Sequence, residues 1–314
     1  SLIDHVEKNV PRKEISKENP NYLKRLIKSN YLTDYSPSLS VLPHGNTLVD
    51  KCSIDKKINN ELFQVVKVNE IKRIEVENIA TGVYSPLKGF MSEKDLDSVL
   101  NEKKLSNGIV WPLPIVLDVS REDASKFNLG DTVSLSDYEG NTFGLLHLTE
   151  KYEYSKNKIS QKLYNTDNIN HPGVNIINNM EPVFLAGEVE LVSYINSSLD
   201  KYKLTPKQVR KIFNEMGWHH IAGFHTRNLP HKGHEFILKS VLEKGICDGI
   251  LIHPVIGKKK AGDFKTKHIM NSYELIMQNT PFKNNVILSG FSSFSRYAGP
   301  REAIFTALIR KNYG

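Results

Sequence analysis

Residues 221–234, Ile-Ala-Gly-Phe-His-Thr-Arg-Asn-Leu-Pro-His-Lys-Gly-His, gather three histidines, an arginine and an amide at the junction between an apolar run and a helix. Ile221 to Phe224 reads as the end of a buried strand, and 235–242 has helical spacing, with Phe236 and Val241 expected to pack inward. His231 and His234, at i and i+3, then share one face at the helix start, where unpaired backbone N–H groups and the helix dipole favour an anion. Phosphate suits such a site. Two imidazoles there can donate hydrogen bonds to phosphoryl oxygens as charge develops, stabilising a transition state without a covalent intermediate. Arg227 adds a planar, two-pronged donor for an oxyanion. An HxxH pair also occurs in zinc sites, but zinc needs further ligands, and none stands out, so no protein-bound metal is expected. Histidines at this spacing can also be ordinary core or surface residues. The preceding strand and the neighbours Thr226, Arg227 and Asn228 weigh against that reading.

The elements that must hold this cluster follow from periodicity. Thr205-Pro206 marks a helix start, and a helix to Met216 is followed by strand 219–224, helix 233–244 and strand 249–253. A helix near 265–279, strand 285–289 and a helix near 300–311 complete an alternation that predicts a parallel, Rossmann-like, doubly wound sheet. There is no GxxxxGK[ST] and no GxGxxG, so phosphates must be held by other means. Lys258, Lys259 and Lys260 follow the apolar run 249–252 in a Gly-bounded loop. Of these Lys260 is the candidate phosphate contact, although charge runs are usually solvated. Arg296, in the apolar setting of Tyr297-Ala298-Gly299-Pro300, could reach a phosphate or fix its own loop.

Upstream the pattern changes. Residues 1–39 are polar, with Pro11, Pro20 and Pro37, and read as an extended arm with one short helix near 22–29, available to a partner subunit. Residues 40–192 carry short β-prone runs at 63–68, 110–119, 132–136, 142–149 and 183–192, separated by turn residues, and predict a small β-barrel. One helix is expected to interrupt it, starting at the capping box Ser92-Glu93-Lys94-Asp95. Residues 193–203 read as the linker to a second domain, 193–314.

Hydrophobic residues at 39% and charged residues at 25% are an ordinary globular balance, and no apolar stretch is long enough for a membrane span. The opening residues include Asp4, Glu7 and Lys8 and form no secretory core. Cys52 and Cys247 lie far apart, which predicts free thiols and a cytoplasmic setting. The net charge of +7 is uneven: residues 201–314 hold 19 Lys/Arg against 7 Asp/Glu, and the rest 23 against 28. The positive half is the half with the anion cluster. That suits polyanionic small molecules; nucleic acid is not expected, since few aromatics interleave with the basic residues.

His225-Thr226-Arg227-Asn228-Leu229-Pro230-His231-Lys232-Gly233-His234 resembles the Gln-Thr-Arg-Asn-Pro-x-His-x-x-His signature of the ATP sulfurylase (sulfate adenylyltransferase) family. Similar stretches occur in the family's order at Pro43-His44-Gly45, 82–91, Trp111 to Val119, His171-Pro172-Gly173-Val174, His253-Pro254, 257–263, 296–302 and Ile309 to Gly314. The resemblance thus covers about residues 40–314, and it implies a PUA-like barrel followed by a nucleotidyltransferase domain. It implies transfer of AMP from ATP, as its Mg2+ complex, to sulfate, giving adenosine 5′-phosphosulfate and pyrophosphate, by a homo-oligomer. It further implies Thr226, Arg227, Asn228, His231 and His234 as catalytic residues, with His225 and Arg227 at sulfate. Thr226, Asn228, His231, His234, Lys260 and Arg296 are implied at the nucleotide. Three departures stand out. His225 replaces the glutamine and could carry charge, which opens the pocket to another or more highly charged oxyanion. The proline sits at 230 instead of 229, and the chain stops before the family's Gly-Arg-Asp-His-Ala segment. A nucleotidyltransferase with a different acceptor, or an impaired nucleotide- or RNA-binding homologue, are the alternatives.

Overall fold

A computed structural model describes residues 41–54, 63–194, 198–257, 262–279 and 283–314. The arm 1–39 and Lys258 to Lys260 lie outside the described residues. The first half builds a mixed sheet from β1 (Val65–Lys67), β2 (Gly89–Phe90), β3 (Leu117–Val119), β4 (Thr132–Ser136), β5 (Thr142–Glu153) and β6 (Val183–Leu191). Its order is β1-β4-β5-β6-β2, with β3 also on β6. The long β5–β6 ladder is antiparallel, and β1 joins β4 in parallel. The sheet ends, β1 and β2, are three and two residues long and are not paired with each other among the described residues, which show a mixed sheet and do not show closure of the expected barrel. The predicted strand 110–119 shrinks to Leu117–Val119 because Pro112 and Pro114 bring no N–H to a ladder.

Among the described residues five α-helices, not one, accompany this sheet: α1 (Glu70–Ala80), α2 (Glu93–Glu102), α3 (Arg121–Ser125), α4 (Lys156–Tyr164) and α5 (Pro172–Asn178). Of these α2 has the predicted start, Ser92 accepting from the Asp95 N–H. The helix α1 escaped periodicity because it buries polar side chains: Lys72, Glu75, Glu77 and Asn78 are all less than a tenth exposed. Lys72 reaches Asp118 at 3.0 Å and Glu75 at 3.6 Å, so the buried charges are paired.

The second half has helices α6 (Pro206–Glu215), α7 (Lys232–Glu243), α8 (Thr266–Asn279) and α9 (Pro300–Tyr313) around parallel strands β7 (Ile221–Thr226), β8 (Gly249–Pro254) and β9 (Val286–Leu288). Thr205 and Gln208 close a reciprocal capping box at the start of α6. The central strand, β8, is buried along its whole length. Ile250 and Ile252 pack with Leu238 of α7 and with Ile269 and Tyr273 of α8. Leu251, on the opposite face, joins Val209, Ile212 and Phe213 of α6 and Phe305, Ile309 and Tyr313 of α9. Helices therefore cover both faces, as a Rossmann-like arrangement requires, while the described strands run in the sequential order β7-β8-β9 without a reversal.

Polar contacts join the halves. Asn312, fully buried, donates to the carbonyls of Val83 and Ser85, both at 3.0 Å, and accepts from the His44 N–H at 2.8 Å. Arg301 donates to the Val99 and Leu100 carbonyls near the end of α2, and to those of Pro112 and Lys162. No described helix is long and apolar enough to cross a membrane. Both cysteines are free thiols, as their separation predicted, and both are partly exposed.

Candidate active site

The strand β7 sits at one edge of the three-stranded sheet and delivers the cluster at its carboxyl end, where open α/β sheets bind ligands. Thr226 closes the strand, nearly buried, and its Oγ1 accepts from the Asn228 N–H at 3.2 Å. This side-chain turn bends the chain sharply away from the sheet. Arg227 and Asn228 are left exposed on the loop. No ion pair holds the Arg227 guanidinium among the described residues.

The loop enters α7 through His231, which is the N-cap and not, as its spacing suggested, a residue of the first turn. Its Nδ1 accepts from the Gly233 N–H at 3.1 Å. An accepting Nδ1 puts the imidazole proton on Nε2. Gly233 allows this fold-back, since a Cβ there would stand 3.0 Å from His231 Cε1 and 3.1 Å from Nδ1. The rings of His231 and His234 stack, with centroids 3.9 Å apart and planes 25° from parallel. Phe224 meets His234 edge-on at 5.4 Å and fixes the pair against the strand. Burial lowers the pKa of His234 below the ordinary imidazole value, and His231 adds to the shift. The expected pairing of the two histidines at the helix start is present in the geometry. Phe236, expected inside, is 71% exposed instead, and Leu238 is the buried apolar residue of α7.

On the other face of β7, Arg310 of α9 lies against Gly223, where a Cβ would stand 3.2 Å from Arg310 Cγ. Its Nη2 donates to His225 Nδ1 at 2.5 Å, and its Nη1 to the Thr306 carbonyl at 2.7 Å. The guanidinium also stacks over Phe291 at 5.2 Å. Desolvation pushes its pKa down to about 10. His253 is the register partner of His225 on β8, is fully buried, and among the described residues has no hydrogen-bond partner on either ring nitrogen. Burial holds its pKa well below the ordinary value, and Arg310 and His225 contribute further. Sequence reasoning quoted both residues inside longer matches but gave neither a role. The signal was weak, because 85 positions separate Arg310 from His225.

Two further candidates remain, Lys260 and Arg296. Lys260 lies outside the described residues. Arg296, expected at the nucleotide, turns its guanidinium into the junction between the halves, donating to Glu75 Oε1 at 3.0 Å and Tyr84 Oη at 3.2 Å. It is also seated over the rings of Phe294 and Phe305. The arrangement fixes its loop, which is the other role its surroundings allowed. No group of three or more His, Cys, Asp or Glu among the described residues could hold a metal. A cavity of about 410 Å3 lined by Gly217, Trp218, Leu242, Cys247, Asp248 and Asn285 opens at the amino-terminal end of the strands, opposite the cluster.

Residues 41–194 match the PUA-like domain, and residues 200–314 match the ATP-sulfurylase family. A sulfate adenylyltransferase of Synechococcus sp. (strain JA-3-3Ab) is 41% identical over 281 residues, spanning 88% of this chain and 71% of the relative. A second, from Thermococcus onnurineus (strain NA1), is 40% identical over 277 residues, spanning 87% and 72%. Among solved structures, a hexameric APS kinase from Thiobacillus denitrificans shares the fold with a TM-score of 0.69 at 24% identity, over 87% of this chain and 51% of that one. This chain thus spans about half of that structure and close to three quarters of the two relatives. Matched along both halves and at this identity, the chain belongs to the ATP-sulfurylase family, the sulfate adenylyltransferases.

Proposed function

We propose that this chain transfers AMP from MgATP to sulfate, with the loop and helix start at 225–234 as the cradle for the reacting anions. A sulfate oxygen attacks the α-phosphorus, the bond from that phosphorus to the β-phosphate oxygen breaks, and pyrophosphate leaves with the electron pair. Sulfate is a weak nucleophile and both reactants are anionic, so the protein's task is to offset repulsion and hold them in line. Mg2+ arrives on the triphosphate as part of the substrate. Arg227, exposed and without an ion pair among the described residues, grips sulfate together with His225. Thr226 and Asn228 shape the loop against the nucleotide. His231 and His234 donate to phosphoryl oxygens as charge moves onto the leaving group. This reading divides the chain into a PUA-like unit, 40–192, and a catalytic, Rossmann-like unit, 193–314, working as a homo-oligomer.

The observation that supports it most is the stacked His231–His234 pair at the start of α7, a donor pair placed where the helix end already favours an anion. The test is sulfate-dependent exchange of pyrophosphate into ATP. Arg227→Ala and His234→Ala are each expected to lower exchange by about a hundredfold or more with the fold intact by circular dichroism. Near-normal exchange in either folded variant would overturn these roles. Exchange driven by molybdate or phosphate but not by sulfate would move the assignment to a different acceptor.

A further inference from the structure

We propose that Arg310 is a positioning residue that fixes His225 as a neutral imidazole with its proton on Nε2, so that His225 presents an N–H donor to the acceptor anion. The inference rests on the reading above in placing His225 at the acceptor. It also changes what the replacement of glutamine by histidine means. A histidine that could charge would recast the pocket for more highly charged anions. A histidine held neutral with Nε2–H reproduces one donor of an amide and keeps the pocket suited to sulfate.

The geometry is specific. A guanidinium has five N–H donors and no acceptor, so an Arg310 Nη2 at 2.5 Å from His225 Nδ1 requires a lone pair on Nδ1. Protonating that nitrogen would set N–H against N–H beside a permanent cation. Arg310 is held in place by several contacts. Its Nη1 is tied to the Thr306 carbonyl, its Nη2 lies 3.5 Å from the His253 carbonyl, its plane covers Phe291, and its stem fills the space over Gly223. Burial and the Tyr313 hydroxyl, not a carboxylate, are what act on its charge. Among the described residues, the titratable or charged groups by this contact include Arg310 from α9, His253 from β8 and Arg227 two residues along the chain from His225. Tyr313 packs on the His253 ring at 4.4 Å. His253 is neutral through burial, and the low dielectric around it strengthens the Arg310–His225 contact.

The tautomer is directly readable in the full chain labelled with 15N-histidine, with the His225 signals identified by their loss in His225→Gln. The native protein is expected to show Nε2–H at residue 225 and no titration between about pH 5.5 and 8. In Arg310→Met, which keeps the stem over Gly223, residue 225 is expected to titrate within that range. The sulfate KM should follow: flat with pH in the native enzyme, and falling as pH falls in Arg310→Met as residue 225 gains charge. A native spectrum with the proton on Nδ1, or with residue 225 doubly protonated near neutral pH, overturns the proposal, and it does so even if the variant fails to fold. Identical titration in both proteins overturns it as well. The spectrum needs no turnover, so loss of the sulfate reading and loss of this one remain separate results.

Discussion

His231 carries two jobs that a single substitution can separate. As N-cap its Nδ1 accepts the Gly233 N–H, and the proton thereby placed on Nε2 leaves the other edge of the ring a donor, on the proposed reading toward the anion. Asparagine is among the best N-cap residues but cannot reach as far as an imidazole. His231→Asn should therefore change stability by less than about 1 kcal/mol while lowering pyrophosphate exchange by about a hundredfold. Urea denaturation and exchange on the same preparation decide it; unchanged exchange would reduce His231 to a cap. His253 supplies a pH prediction of opposite character. Its folded pKa lies well below the unfolded value, so above about pH 6.5 neither state binds a proton there and the group adds no slope. Below that pH the unfolded chain takes up a proton that the native ring refuses, and stability is lost as pH falls, by up to about 1.4 kcal/mol per pH unit. Denaturation midpoints between about pH 7 and 5 should show this slope in the native protein and a smaller one in His253→Leu. At this scale the sequence was readable for the His231–His234 pair, because i and i+3 are neighbours by helix geometry alone. It was silent on Arg310, since only the packing of α9 on β7 brings that side chain to His225.

The start of α7 shows how an element, more than any one residue, sets the site. Gly233 occupies the second helical position, where alanine would normally be better by about 1 kcal/mol. Here a Cβ would crowd the His231 ring at 3.0 Å, so the ring must give by a few tenths of an ångström, which loosens its cap and shifts its stack on His234. Gly233→Ala is expected to leave stability nearly unchanged, the propensity gain offsetting the loosened cap, worth about 1 kcal/mol. Exchange should nevertheless fall by about tenfold or more. Activity equal to native would mean that the ring position does not matter. The same device recurs at α5, where His171 caps through Nδ1 and Gly173 lies under the ring of Tyr164. Histidine is not among the usual capping residues, which is why neither cap was visible in the sequence. The alternation of helices and strands in the second half was visible, because its apolar periods are clean. Phe236 misled, since α7 covers an edge strand and buries little beyond Leu238. The helix α1 was hidden for a different reason: Lys72, Glu75, Glu77 and Asn78 are buried in a polar network beside Val76, Ile79 and Ala80 in the apolar core, so no clean apolar period is left to read.

At the scale of the whole molecule, the end of α9 links the junction of the two halves to His225 and so to the proposed anion site. Asn312 is held by three backbone groups from the first half, and Arg210 donates to the carbonyls of Lys311 and Asn312, both at 2.7 Å, which fixes the last turn from the second half. Arg310 stands two residues earlier on that turn. Removing the Asn312 side chain leaves the His44 N–H and the Val83 and Ser85 carbonyls buried without it, and each such loss costs about 1 kcal/mol or more. Asn312→Ala should therefore lower unfolding free energy by about 3 kcal/mol, measured by urea titration. A purely structural junction would stop there. Because the same turn positions Arg310, the folded fraction of Asn312→Ala should also bind sulfate more weakly, with a raised KM and a smaller change in kcat. Arg301→Ala tests the alternative, since it severs the contact to the Val99 and Leu100 carbonyls at the opposite end of α9, nine residues from Arg310. It should destabilise the junction without moving the sulfate KM. Equal effects of the two substitutions on KM would show that the halves act on the site only through overall stability, and that the turn carrying Arg310 has no separate part in it.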